Sequence, residues 1–383
     1  MKIRTITTGL MLKSIKETQK NEQVAEFNRN AKDAFVKAGY EVQTTRIATN
    51  SWEDYTIGLS DQEIVSEIVA MEAVAIKQGV SFLNIGYSKT PKKTLLISEI
   101  NKNTSIISTS AKVADKKWGI NFENIKASAQ VIKKISKETE NGYGNFRFCA
   151  AANCQPGIPF FPAGYHEGNK SVFGIGLESG DLVMKAFSKS SDLIEAEYNL
   201  KEIFETELVK VEKIAQEISK EFGVVYNGID SSINPGLEKS ESVAFAFEKL
   251  GIEKFGDQGT LAIATMVTRV LKDLDIKLCG YSGLMLPICE DVGLAQRANE
   301  ETYNLSNVLL YSAVCGCGYD TVPIPGDISE ETIESIILDV ASLATRLDKP
   351  LSARLLPVPN KKAGEMTNFQ SPYMVDCKIL KVN

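Results

Sequence analysis

Residues 3–10 read IRTITTGL, residues 14–39 read SIKETQKNEQVAEFNRNAKDAFVKAG, and residues 40–49 read YEVQTTRIAT. Arg4–Leu10 reads as a strand. Ser14–Ala38 reads as a long helix with a polar face, stopped by Gly39. Tyr40–Thr49 alternates apolar and polar residues, the period of a strand. Strand, helix, strand in immediate succession is the pattern of a mixed α/β protein.

The pattern continues outward. Ser60 followed by Glu63 is a capping-box pair, which starts a helix running to about Gln78. Strands are expected at Val80–Tyr87, Thr104–Ser108, Phe146–Asn153, Ser171–Leu177 and Val224–Asp230. Helices are expected at Phe122–Glu138, within Ser190–Phe222, and at Ser240–Leu250 and Thr260–Leu274. Ile276–Glu290 reads as strand and loop. Helices near Asp291–Asn299 and Leu305–Val314, a strand at Thr321–Ile324, a helix at Ser329–Leu347 and strands at Ser352–Val358 and Cys377–Val382 complete the chain. No internal repeat and no low-complexity linker interrupts it. Strands separated by helices of this length fit a barrel or a doubly wound sheet.

The 383 residues suggest two domains or one large barrel, at roughly 100–200 residues per domain. With 43% hydrophobic and 24% charged residues the composition is that of a globular protein. The net charge of −6 is spread in mixed sign, which argues against a nucleic-acid partner. No segment reaches the roughly 18 uninterrupted apolar residues of a membrane span. The opening MKIRTITTGLML reads as a first strand and not as a signal peptide. Seven cysteines at irregular spacing fit reduced thiols in a cytoplasmic protein.

Chemistry is expected at Gly/Pro-rich turns. NCQPGIPFFPAGYHEG (153–168) holds three prolines, three glycines and His166, the single histidine of the chain. Prolines fix φ and glycines permit close backbone approach, so a rigid loop would present a side chain suited to proton transfer near neutral pH. A hydrogen-bonding histidine without catalytic duty is the alternative. AVCGCGYDTVPIPGD (313–327) carries Cys315 and Cys317 among small residues, which could leave a thiol open to a ligand. Two buried structural thiols are the alternative. The Cys-x-Cys spacing does not match a zinc site. Asp320 and Asp327 bracket the strand of this segment, and Asp327 could simply help cap the next helix.

Three further segments supply polar groups. GIDSSINPG (228–236) crowds Asp230, Ser231, Ser232 and Asn234 at the C-terminal end of a strand, where α/β folds bind ligands. GYSGLMLPICEDVG (280–293) sets Glu290 beside Asp291 at a helix start, where one of them can serve as a cap. Glu290 could instead contribute to a divalent-cation site if Asp230 or Asp327 came close. Arg354 in SARLLPVPNKKAGE could hold a carboxylate or phosphate with two parallel hydrogen bonds, or form a structural ion pair. No phosphate-loop or dinucleotide fingerprint is present, so no nucleotide cofactor is expected. No Gly-x-Ser-x-Gly elbow is present either.

Taken in order, IRTITTGL, PGIPFFPAGYHEG, GIDSSINPG, SGLMLPICEDVG, AVCGCGYDTVPIPGD and RLLPVPNKKAGE resemble domain-of-unknown-function family 711, often labelled "PFL family protein", over essentially the whole chain. The resemblance implies one large domain, residues 1–383. Its implied fold is the ten-stranded α/β barrel of pyruvate formate-lyase-like glycyl radical enzymes, with peripheral helices. By analogy the radical-carrying thiol would be Cys315, or Cys317 in its place. The tail FQSPYMVDCKILKVN contains no glycine, so non-radical chemistry is expected.

The expected function is that of a cytosolic enzyme with a barrel-enclosed site for a small polar metabolite carrying a carboxylate or carbonyl. Cys315 and His166 would be catalytic. Asp230, Ser231, Asn234, Glu290, Asp327 and Arg354 would bind substrate, with a divalent cation as a candidate cofactor. A metabolite-binding or regulatory protein on an inactive enzyme barrel is the alternative. The long helix within Ser190–Phe222 offers a face for a homo-oligomer, or for packing within the monomer.

Overall fold

A computed structural model describes residues 1–382. Its strands are β1 Lys2–Leu10, β2 Val42–Thr49, β3 Phe82–Ser88, β4 Ile107–Asp115, β5 Gly119–Ile120, β6 Phe148–Ala152, β7 Val172–Glu178, β8 Val225–Asp230, β9 Gly318–Pro325 and β10 Leu351–Val358. Its helices are α1 Thr18–Lys37, α2 Trp52–Tyr55, α3 Asp61–Lys77, α4 Pro91–Asn103, α5 Phe122–Glu138, α6 Gly180–Phe187, α7 Leu193–Phe222, α8 Val243–Glu248, α9 Thr260–Lys272, α10 Val292–Asn299, α11 Leu305–Ser312 and α12 Glu330–Leu347.

Local signals account for several boundaries. Ser60 and Glu63 form the reciprocal capping box that starts α3. Asn121 caps α5, which spans the expected residues. The Asp192 side chain accepts from the Ile194 and Glu195 amides to start α7, and left-handed Gly223 ends it.

All ten strands belong to one sheet. Nine run in the order β8-β7-β1-β2-β3-β4-β6-β10-β9, and β5 pairs with β4 alone. β1, β2, β3, β4 and β6 form one parallel block. β7 pairs parallel with β8, and β10 with β9. The blocks meet antiparallel where β1 pairs with β7 and β6 with β10. The sheet therefore departs twice from the parallel arrangement that the mostly alternating order of strands and helices suggests.

The path of continuous ladders is open. Isolated parallel bridges join Ile229 to Leu278, Ile233 to Leu284, and Pro287 to Asp320. The segment 276–290, expected as strand and loop, thus touches both ends of the strand order as an irregular chain of isolated bridges without a continuous strand. The expected C-terminal strand Cys377–Val382 is absent too; that stretch makes a single bridge, Met366 with Lys378. Its β-branched residues pack against the body without a partner strand to complete a ladder. Several short elements were not anticipated, among them α2, β5 and the helix α6 ahead of α7.

Two packed layers result. On β6, Phe148, Ala150 and Ala152 face the main core between sheet and helices. Alternate residues Cys149 and Ala151 face a second cluster with Cys154, Ile158, Phe160, Ala163, Tyr281, Met285 and Cys317. Small side chains on that inner face leave room for chain to enter. The loop 153–168 fills it, tied by Thr7 Oγ1 to the Pro159 carbonyl (2.8 Å), Asn84 Nδ2 to the Pro162 carbonyl (2.7 Å) and the His166 amide to the Thr49 carbonyl (3.0 Å).

Candidate functional site

The inner face carries a charged cavity. Its walls include Arg4 of β1, Thr44 and Arg46 of β2, Asp320 of β9 and Ser352 and Arg354 of β10. Phe160 and Phe161 come from the Pro/Gly loop, Asn234 from the turn after β8, Tyr281 and Glu290 from segment 280–290, Cys317 from the turn before β9, and Tyr373 from the C-terminal tail. The space open to the centres of water molecules is about 50 Å³, room for a few waters or a small molecule.

Strand periodicity builds this cluster. Thr44 and Arg46 are two residues apart and so share one face of β2. Thr44 Oγ1 donates to the Arg4 carbonyl (2.6 Å) and accepts from Arg46 Nε (3.1 Å). Glu290 is the hub. Its Oε1 accepts from Arg354 Nη2 at 2.6 Å and its Oε2 from Arg4 Nη2 at 3.0 Å. Arg354 Nε also donates to Asp320 Oδ1 at 2.6 Å, and Arg4 Nη1 to Glu178 Oε2 at 2.9 Å. Burial raises the Glu290 carboxyl above its ordinary range, against the pull of Arg354 and Arg4. Arg354 loses to burial but gains more from Asp320 and Glu290, so its guanidinium holds its proton more firmly than usual.

Of the residues expected to bind substrate, Glu290, Arg354 and Asn234 line the cavity. Asp230 does not. Its buried carboxylate accepts from the amides of Tyr281 (2.9 Å), Ser282 (2.9 Å) and Ser232 (3.1 Å), so it braces the turn that carries Tyr281. Ser231 Oγ donates to the Leu271 carbonyl at 3.0 Å and is likewise structural. Asp327 is exposed on the surface. Asp230, Asp327 and Glu290 therefore do not assemble as a cation site. Among the described residues no group of three His, Cys, Asp or Glu side chains gathers as a metal-ligand set.

His166 and Cys315 do not converge. His166 lies at a separate small hollow lined by Thr7, Gly9, Tyr165 and Val172, with Nε2 bonded to the Gly168 carbonyl at 2.9 Å. Burial lowers its pKa below the usual histidine value. Cys315 packs in the main core. Its carbonyl, with those of Ser312 (2.9 Å) and Ala313 (3.3 Å), binds the buried Lys349 ammonium, a cation placed at the C-terminal end of α11. The cavity-lining thiol is Cys317, and burial raises its pKa well above the ordinary thiol value. A buried thiol so placed is a poor thiolate at neutral pH.

Arg4 and Arg46 were missed as site residues. A strand arginine ordinarily reads as a solvated face. The available signal was that each sits in a short β-branched run whose other residues look buried.

Comparison with known proteins adds the family context. The family described as "Uncharacterised ACR (DUF711)" matches residues 1–370. A UPF0210 protein from Carboxydothermus hydrogenoformans is 29% identical, over 96% of this chain and 88% of that protein. One from Pyrobaculum aerophilum is 29% identical, over 88% of this chain and 78% of that protein. One from Methanocaldococcus jannaschii is 28% identical, over 96% and 88%.

Proposed function

The chain belongs to the uncharacterised DUF711 family, and we propose that it is a cytosolic enzyme acting on a small polar metabolite by non-radical acid–base chemistry at Glu290. The observation that carries this reading is the position of Glu290: buried, on the cavity wall, and held between Arg354 and Arg4. Burial strengthens its hold on a proton, and the two guanidinia stabilise the carboxylate left when the proton departs. That balance suits a group that gives and takes a proton during a reaction. Arg354, Asp320 and Asn234 position the metabolite and its charged partners.

The reading places the site within a ten-stranded barrel, as the sequence resemblance implies. It is supported by the isolated bridges at Leu278, Leu284 and Pro287, which lie between β8 and β9 at the two ends of the sheet order. Loop 153–168 then fills the interior, as the second buried cluster suggests.

Catalytic duties move away from His166 and Cys315, because neither lines the cavity. The test is turnover of small carboxylates and carbonyl compounds by the full chain, without radical activation. Glu290→Gln should remove activity, and Cys315→Ala should retain it if the variant folds. Full activity in Glu290→Gln would sink the reading.

A metabolite-binding protein without turnover is the second reading. It is favoured by the full engagement of both Glu290 oxygens by arginines. Binding by calorimetry with no conversion of any compound found to bind would select it.

A further inference from the structure

Arg46 differs from the other two arginines of the cavity. Arg4 and Arg354 each face carboxylates. Arg46 is 7% exposed, and the single hydrogen bond of its side chain among the described residues runs from Nε to a threonine hydroxyl. Phe82 and Phe161 lie near its guanidinium, with ring centroids 5.4 and 5.3 Å from Cζ. Its two terminal nitrogens carry four N–H donors in a planar fork suited to a carboxylate. Those donors have no acceptor among the described residues. Burial, and then the like charge of Arg4, lower its pKa to about 9, well below the ordinary arginine value, as expected for a buried cation short of a counter-ion.

The ion pairs around the cavity pass Arg46 by. Glu290 bonds Arg354 and Arg4, Asp320 bonds Arg354, and Glu178 and Glu241 share Lys2, with Glu178 also on Arg4. Arg46 is the cavity guanidinium that no carboxylate reaches among the described residues. Asn234 is the second unpartnered polar group: buried, on the cavity wall, with no side-chain hydrogen bond among the described residues. The unpartnered atoms of both side chains open onto the same small cavity, so they face whatever molecule occupies it.

We propose that Arg46, together with Asn234, receives the carboxylate of a small monocarboxylic acid. This rests on the reading of the cavity as a substrate site and names the substrate class. A single open guanidinium fork matches one carboxylate. Phosphate brings more negative charge than this one cation can neutralise. The space open to water centres, about 50 Å³, restricts the acid to a few heavy atoms.

The test is calorimetric titration of the full chain with acetate, glycolate and inorganic phosphate, in the unaltered protein and in Arg46→Met, Arg46→Lys and Glu290→Gln. Acetate and glycolate should bind, and phosphate should bind more weakly. Arg46→Met should lose carboxylate affinity by about 30-fold or more, the scale of breaking a buried charged pair. Without ligand, Arg46→Met should melt at a higher temperature, because it removes an uncompensated buried charge. Arg46→Lys keeps the charge but loses the fork, so its affinity should fall between the two, and it decides the matter if the methionine variant does not fold. Arg46 variants that bind acetate as tightly as the unaltered protein overturn the proposal, and so does a preference for phosphate. Loss of binding in the Arg46 variants with normal turnover in Glu290→Gln would defeat the acid–base reading and leave the anion site standing. Normal binding and turnover in the Arg46 variants, with Glu290→Gln inactive, would do the reverse.

Discussion

The imidazole of His166 rests on the bare backbone of Gly9. A Cβ at position 9 would lie 2.4 Å from Nδ1 and 2.8 Å from Cγ of that ring. The single histidine thus works as a packing element that seats the Pro/Gly loop against β1. Gly9→Ala should push the ring off its seat and destabilise the protein by about 1–3 kcal/mol, the usual scale of overpacking. Urea unfolding of the two proteins measures it. Equal midpoints would mean that the loop is not held there.

A pH dependence follows from the same burial. Burial lowers the His166 pKa, with the bond to the Gly168 carbonyl and the charge of Glu167 opposing. The unfolded chain takes up this proton near the ordinary value of about 6.5, and the folded chain takes it up only at lower pH. Between those values the unfolded state binds more protons, so stability falls as pH falls through this window. His166→Asn should flatten that part of the stability profile. The imidazole resonance of the folded protein, unique because the chain has one histidine, should titrate below 6.5. Titration above it would contradict the burial argument.

Much of the fold was legible because its signals are local. The Ser60–Glu63 box, the Phe122–Glu138 helix and the long helix within Ser190–Phe222 are decided by residues within a turn or two of one another. The antiparallel joints β1–β7 and β6–β10 join strands roughly 170 and 200 residues apart, and no local period encodes such a pairing. The site divided in the same way. Glu290, Asn234 and Arg354 stood out beside Gly/Pro turns and do line the cavity. Asp230 stood out for the same reason, but its carboxylate is consumed by three backbone amides, a partner set that the sequence does not display. Arg4 and Arg46 were hidden because their counter-charges, or the lack of one, depend on which strands meet.

Arg354 holds two buried carboxylates at once, Glu290 and Asp320. It also sits over the Phe146 ring, 4.9 Å from its centroid. Arg354→Met would leave both acids without this cation, and breaking such buried pairs typically costs about 3–5 kcal/mol. Arg354→Lys should recover part of this at most, because a single ammonium lacks the planar fork that reaches both acids. Thermal unfolding of the two variants tests the point. A methionine variant as stable as the unaltered protein would mean that the cluster contributes no net stability.

Thiol chemistry gives the sharpest check on where reactivity does not lie. Six of the seven cysteines are buried, and Cys279 is partly buried. Burial raises Cys149, Cys279, Cys289 and Cys317 well above the ordinary thiol value, and pushes Cys154 up to about 12. Cys315 is 1% exposed in the main core, and Cys289 and Cys377 are buried with their sulfurs 3.8 Å apart. The thiolate is the species that alkylates, and access limits it further. Iodoacetamide at neutral pH should therefore modify the folded protein slowly at every cysteine, and quickly only after denaturant is added. Mass spectrometry of the digested protein would locate each adduct. Rapid labelling of Cys315 in the folded chain would restore it as a nucleophile and require that its turn open toward solvent; rapid labelling of Cys317 would instead show that the charged cavity admits a neutral reagent and lowers the cost of its thiolate.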